Sequence, residues 1–307
     1  MVAALKNILP ILALLLAMAL WGSSFVAMKY SFRELHPIVV LFGRMAVATL
    51  CFLPFIGSYR RMPLTRSHVP ILVLMCLCEP CLYFVFEAAA LMYTSASQAS
   101  MISTMLPLLV ALGAGLFLGE RLSAKLLAGF ALAAAGALWL GYAAGSTEEA
   151  PNPLLGNLLE FIAMLCAAGY TISMKYLTRD LSSFHLTGLQ AIAGLLFFAP
   201  MLALPQVRQM PPPSMMSLLV ILYLGIVVSF GAYALYNYGV SRIPVSRASA
   251  FINLIPVFSI VLAFVLLDER LNLQQGFACA AVLAGVLLTQ CSGATRTRPI
   301  TTSKRQP

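Results

Sequence analysis

Three carboxylates stand inside otherwise apolar stretches of this 307-residue chain: Glu79 and Glu87 share one stretch and Glu160 occupies another. An acid at membrane depth ordinarily faces protein or a wet cavity, where it binds a cationic group, pairs with a base or exchanges a proton. All three are therefore candidates for coupling solute movement to protons. Glu79 precedes Pro80 and stands one turn before Tyr83, so those two residues are candidates for one binding surface. Glu87 approaches the outer end of its stretch, and Glu160 lies about one turn inside its own, where it also reaches the interface.

A polar pattern is written twice. Ser97, Ser100, Thr104, Pro107 and Glu120-Arg121-Leu122 recur 149 residues later as Ser246, Ser249, Asn253, Pro256 and Glu269-Arg270-Leu271. Helical spacing places the polar members of each copy on one face, so two such stripes can line a passage. The prolines remove backbone hydrogen bonds that a ligand can partly replace. The same residue types also glue membrane helices together by close approach. Asn253 is the strongest single binding candidate, because its amide both donates and accepts. Aromatic faces for an amphipathic solute come from Trp21, Tyr83, Tyr170, Tyr233 and Tyr236. Arg44 is either a counter-ion for an acidic substrate or a glutamate, or a side chain that snorkels to the interface. Lys29 and Lys175 are expected to end their helices at the interface.

These residues need elements that hold them at membrane depth. With 61% hydrophobic residues, 9% charged and a mean hydropathy of +0.93, the chain is too apolar for a soluble domain of its length. Ten stretches are long enough to cross about 30 Å of hydrocarbon. Their cores are 8–29, 37–57, 69–91, 97–118, 124–143, 154–175, 184–204, 215–239, 246–267 and 273–291. The first follows Lys6 and lacks a small-residue cleavage site, so it reads as an uncleaved helix. The seven cysteines fall almost entirely within these stretches, where small apolar packing is their ordinary role, and Cys78-Glu79-Pro80-Cys81 reads as helix and not as a metal or redox motif. Glycines at 115 and 119, 129 and 136, and 276 with Ala280 read as close-packing positions between helices.

Charge sets the expected orientation. With the amino terminus cytoplasmic, most of the cations fall inside, among them Lys6, Arg60, Arg61, Arg66, Lys125, Arg179, Arg242 and Arg247. An odd number of helices per half requires the copies to insert upside down relative to each other. The matched loops agree: Gly119-Glu120-Arg121 with Lys125, inside, becomes Asp268-Glu269-Arg270 with Gln274, outside, and Tyr93 and Gln98 become Arg242 and Arg247. The amino-terminal parts of the halves align at a spacing of 146, as Met28-Lys29-Tyr30 with Met174-Lys175-Tyr176 and Pro54 with Pro200. The chain thus divides into a first five-helix repeat at 1–144, a polar linker at 145–153, a second repeat at 154–292 and a basic cytoplasmic tail at 293–307.

Trp21-Gly22-Ser23-Ser24-Phe25, Arg44, and the block from Ala90 to Gly119-Glu120-Arg121-Leu122, repeated as Arg247 to Leu271, carry a resemblance to the drug/metabolite transporter superfamily, specifically its ten-helix EamA branch. The resemblance implies an all-α membrane protein of two inverted five-helix repeats. Between them it implies a cavity lined mainly by helices one, three, four, six, eight and nine, on which Ser24 joins Trp21. It also implies export of amino acids, other metabolites or drugs. Gln190 occupies the slot of Arg44 in the second half.

The sequence reading is a monomer-competent secondary transporter of the inner (plasma) membrane, with both termini cytoplasmic. It exports a small amphipathic solute by alternating access, takes a small-molecule substrate and the lipid bilayer as partners, and uses no cofactor, metal or nucleic acid. A lipid or lipid-linked sugar flippase and an integral-membrane enzyme are the alternatives. The enzyme is disfavoured because His36, His68 and His185 lie in or beside loops without a paired acid-base constellation.

Overall fold

In hydrocarbon every backbone polar group must be satisfied within the protein, which for a chain of this composition means helices. The computed structural model describes residues 2–118, 124–210, 212–243, 248 and 251–290, and no strand occurs among them. Ten long helical stretches follow one another among the described residues, with a single turn at Pro205–Arg208 between the seventh and eighth: α1 Val2–Ser31, α2 Pro37–Tyr59, α3 Val69–Tyr93, α4 Ala96–Ser103 with Leu106–Leu118, α5 Ala124–Ala143, α6 Pro153–Leu177, α7 Ser183–Ala203, α8 Met215–Arg242, α9 Phe251–Leu254 with Ile255–Leu267, and α10 Leu273–Gln290. Seven are long and apolar enough to cross a membrane, and the three shorter apolar stretches Leu127–Ala143, Phe251–Leu267 and Leu273–Leu288 fall in α5, α9 and α10. The second polar copy is only partly visible: Ser246, Arg247 and Ser249, like Glu120, Arg121, Leu122 and the tail, lie outside the described residues.

The inverted relation of the halves is written in matched contacts at opposite ends of the bundle. Lys29, from α1, donates to the carbonyls of Leu91 (2.6 Å) and Thr94 (2.9 Å) at the end of α3. Lys175, from α6, donates to the carbonyls of Val240 (2.8 Å) and Ile243 (3.0 Å) at the end of α8. Each lysine thereby meets helix C-terminal carbonyls that lack intrahelical partners, a placement the helix dipole also favours. Neither simply ends its helix at the interface as expected: Lys29 is buried and also donates to the Glu149 carbonyl of the linker. Glu34 and Asp180 are matched in the same way. At the linker end Glu34 accepts from Ser214 N (2.6 Å), Ser214 Oγ (2.7 Å) and Ser217 Oγ (2.5 Å) at the start of α8. At the opposite end Asp180 Oδ2 lies 3.3 Å from His68 Nε2, before α3.

The hydrogen bonds to Glu34, that of the Ser217 hydroxyl foremost, hold its carboxyl below the ordinary carboxylate range. A depressed folded value means that the stabilisation is present above the ordinary range and lost as pH falls through the depressed one. The melting temperature of the detergent-solubilised protein should therefore drop more steeply below about pH 4.5 than that of a Glu34→Gln variant. Parallel pH profiles for the two proteins would contradict this assignment.

Close approach between helices rests on small residues. A methyl group on Gly22 of α1 would stand 2.7 Å from Phe258 Cβ and 2.8 Å from the Ile255 carbonyl of α9. Gly136 of α5 meets the backbone of Val282 and Ala278 on α10, and Gly285 of α10 meets Ala133 and the Gly129 carbonyl on α5. Gly276, expected to pack closely, faces open space; the close-packed glycine of that helix is Gly285, two turns and more along it. Overpacking a tight site costs about 1–3 kcal/mol. Gly22→Leu is accordingly expected to lower the melting temperature by several degrees, whereas Gly276→Leu should leave it within a degree or so.

Candidate functional site

The halves enclose a small cavity of about 40 Å³. Its walls come from α1 (Trp21, Ser24, Phe25), α3 (Glu79, Tyr83, Phe84, Glu87), α4 (Ser103, Leu106), α6 (Met164, Ala167, Tyr170, Thr171), α8 (Tyr233, Tyr236) and α9 (Ile252, Ile255), with Arg44 from α2. That is the set of helices the family resemblance implies, with α2 added. The volume admits about three water molecules. The space is narrow because the aromatic side chains of Trp21, Tyr83, Tyr170, Tyr233 and Tyr236 crowd it.

Local helix chemistry explains how polar groups reach it. Pro80 lacks an N–H and crowds the preceding turn. Glu79 leaves helical geometry (φ −151°, ψ 123°), which splits α3 and frees the Glu79 carbonyl. Gln190 Nε2 of α7 donates to that carbonyl at 3.3 Å. In the second half, α8 widens into π-type turns over Leu224–Ala232, and Ser229 there corresponds to Pro80. Arg44 Nε of α2 donates to Ser229 Oγ at 2.9 Å. Arg44 and Gln190 therefore do the same structural job in their respective halves, each tying its helix to the weak point of a helix from the other half. Cation and amide differ only in what remains for a ligand.

Arg44 is buried, its guanidinium carbon 4.2 Å from the centroid of Phe84 and its Nη1 3.3 Å from Met28 Sδ. It forms no ion pair among the described residues, although Glu79 and Glu87 line the same cavity. The interior position rules out snorkelling. Glu79 accepts a hydrogen bond from Tyr233, and Tyr83 donates to Glu87 Oε1 at 2.8 Å. Glu87 Oε2 and Trp21 Nε1 are buried and have no partner among the described residues. One acceptor and one donor thus remain open on a single cavity. The Trp21 ring packs against Tyr233 (5.1 Å between centroids) and Tyr236 (4.7 Å), and Thr171 Oγ1 lies 3.4 Å from Tyr236 Oη. Tyr170 donates to Asn237, whose amide donates to Thr187 Oγ1 (2.7 Å) and Gln190 Oε1 (3.4 Å), so the cavity wall is braced from α7.

Of the residues singled out from sequence, Trp21, Ser24, Glu79, Tyr83, Tyr170, Tyr236 and Glu87 meet at this cavity, while Ser100, Thr104, Asn253 and Glu160 do not line it. Among the described residues, the polar stripes do not face this cavity; Ser246 and Ser249 of the second lie outside the described residues. In α4, Ser100 Oγ donates to the Ser97 carbonyl (2.9 Å) and Thr104 Oγ1 to the Met101 carbonyl (2.7 Å), so these hydroxyls serve their own backbone. Ser103 takes the cavity position instead. The helix is interrupted at Thr104 and Met105, ahead of Pro107, by i to i−3 bonds that shift the facing of later residues relative to a continuous α-helix. Asn253 falls in a 3-10 turn, Phe251–Leu254, with Ile252 and Ile255 on the cavity and its own Oδ1 without a partner among the described residues. Glu160 does not reach the interface: it is fully buried, and neither carboxyl oxygen has a partner among the described residues. Ser103, Thr171 and Ser229 carry no signal that sets them apart from packing residues in the sequence. Phe84 and Phe25 are hidden in the same way among apolar neighbours.

Comparison with known proteins agrees with this architecture. An EamA-like transporter family model matches residues 8–142 and 154–290. The chain is 25% identical over 279 residues to the uncharacterized transporter YetK of Bacillus subtilis, covering 89% of this chain and 84% of that protein. It is 28% identical over 284 residues to an uncharacterized transporter of Archaeoglobus fulgidus, covering 90% and 97%. A probable terminal-alkyne amino-acid exporter of Streptantibioticus cattleyicolor is 26% identical over 303 residues, covering 96% and 97%. A solved crystal structure at 23% identity superposes with a TM-score of 0.61 over 91% of this chain and 96% of its own, which shows the shared fold. A duplicated helical membrane architecture and a family match over both halves lead to one conclusion: this chain belongs to the EamA-like transporter family.

Proposed function

We propose that this transporter exports small amphipathic zwitterions, amino acids or close relatives, across the inner membrane by alternating access. One observation carries the reading: a cation, Arg44, and two acids, Glu79 and Glu87, share an aromatic-walled cavity between inverted halves without pairing into ion pairs. A carboxylate on Arg44, an ammonium group on the open Glu87 Oε2 and an apolar side chain against Trp21, Tyr233 and Tyr236 would satisfy all three features. The direction of transport follows the Streptantibioticus relative, whose name is that of an amino-acid exporter and which aligns over almost its whole length. The basic loops support cytoplasmic termini. Glu79, Glu87 and Glu160 are the groups through which a proton would be coupled, Glu160 because its orphaned oxygens need a proton or a partner that arrives during the cycle.

A ligand that binds only the folded protein raises its apparent stability. Melting curves of purified protein against amino acids, their methyl esters, polyamines, sugars and lipid-linked sugars test the reading. Apolar or aromatic amino acids should raise the melting temperature, and their methyl esters, which have lost the carboxylate, should do so weakly or not at all. A shift with lipid-linked sugars alone would replace the exporter with a flippase.

A further inference from the structure

At the linker end of the bundle, carboxylates reach from one half to the other. After α9, Asp268 adopts left-handed geometry (φ 58°), and the N–H of Glu269 returns to the Ala263 carbonyl at 3.2 Å. Such a helix C-cap reverses the chain sharply. The reversal carries the Glu269 side chain onto the start of α4, in the first half. There it accepts from Ala96 N (2.9 Å), Ser97 N (3.0 Å) and Ser97 Oγ (2.7 Å). A carboxylate on free N–H groups at a helix N-terminus is a strong, directional contact, favoured by both hydrogen bonding and the helix dipole. Glu34, from the first half, holds the start of α8 in the second. At this end lies a vestibule of about 450 Å³ that includes Lys29, Glu149 and Glu269 and shares no lining residue with the central cavity. At the opposite end the described residues include two bridges between the halves, His68 with Asp180 at 3.3 Å and Ser58 with His185 at 2.8 Å.

We propose that Glu269 is the latch of the linker end: its carboxylate must leave the N-terminus of α4 before the cavity can open to the vestibule. Neither half can swing away from the other at that end while one carboxylate from the α9–α10 turn holds three donors of α4. α4 carries Ser103 and Leu106 into the cavity wall, so releasing its start moves the wall itself. The latch acts on the gate whichever solute is carried.

The test is sided thiol labelling without substrate. Ser103→Cys reports the cavity and Ser146→Cys in the linker fixes vesicle orientation, each read above the native cysteines with a membrane-impermeant maleimide. In the Ser103→Cys background, Glu269→Ala should raise the labelling rate from the linker side about tenfold, with the rate from the other side unchanged or lower. Glu269→Gln, which keeps one acceptor, should give a smaller increase, and Ser97→Ala a severalfold one. These two also decide the matter if Glu269→Ala does not fold. Folded Glu269→Gln and Ser97→Ala proteins that label at the parent rate from the linker side would overturn the latch. Failure of the solute reading, with no amino acid bound, would leave these labelling rates as they are.

Discussion

Arg44→Met should reduce flux of a zwitterionic amino acid about 10- to 100-fold, the loss of one charge-assisted hydrogen-bonded contact to substrate. Arg44 is buried and lines the central cavity, and its anchoring bonds go to Ser229 Oγ and Met28 Sδ, neither of which neutralises it. Its charge is shared over distance with Glu79 and Glu87 on the same cavity, and among the described residues it has no ion-pair contact that a ligand carboxylate would have to displace. Methionine keeps much of the chain length and its packing against Phe84, so loss of fold is not the expected cause of the loss of flux. Arg44→Lys is not a neutral control: it keeps the charge but loses the planar fork, and should recover only part of the flux. Transport of an amine without a carboxylate should change far less in Arg44→Met than transport of the amino acid. Equal losses for both solutes would place Arg44 in a structural role only.

Glu87 and Glu160 should separate binding from coupling. Glu87 presents one satisfied oxygen, bonded by Tyr83, and one open oxygen on the cavity, whereas Glu160 presents two orphaned oxygens and does not line the cavity. Glu87→Gln keeps the Tyr83 bond and removes the charge. It should raise the apparent KM for a zwitterion about tenfold or more, a loss near 1.5–3 kcal/mol. Glu160→Gln should leave solute exchange near the parent rate and abolish accumulation driven by a pH gradient. Removing an unsatisfied buried acid should also not destabilise the fold, and a well-packed apolar replacement, Glu160→Met, is expected to be neutral or stabilising by about 1–3 kcal/mol. A Glu160→Gln protein that accumulates solute as the parent does would remove this residue from coupling.

Helix number and order were legible in the sequence because the bilayer demands about 20 apolar residues per crossing and leaves long, countable runs. All ten expected stretches are helical over most of their cores. The duplication was legible because Met28-Lys29-Tyr30 and Met174-Lys175-Tyr176 keep their spacing while the two lysines serve opposite ends; the matched Glu34 and Asp180 emerge only from their contacts. Aromatic and acidic lining residues were legible for a different reason: Trp21, Tyr83, Glu79 and Glu87 are costly or conspicuous in lipid and need a cavity. Facing was not legible where the helices break. The stripes of α4 and α9 were placed by counting 3.6 residues per turn, but both helices contain tighter turns close to their prolines, so Ser103, Ile252 and Ile255 face the cavity in place of Thr104 and Asn253. Glu269 was visible only as half of a repeated Glu-Arg-Leu; its role depends on a left-handed turn at Asp268 that spacing does not reveal.

The measurement that bears most directly on the account is counterflow of radiolabelled amino acids in proteoliposomes, comparing the parent protein with Arg44→Met and Trp21→Ala. Vesicles preloaded with an unlabelled apolar or aromatic amino acid should take up the labelled form rapidly with the parent protein. Both variants, checked for folding by their melting curves, should fall to a small fraction of that rate. Uptake by the folded variants at the parent rate would contradict a substrate site at this cavity.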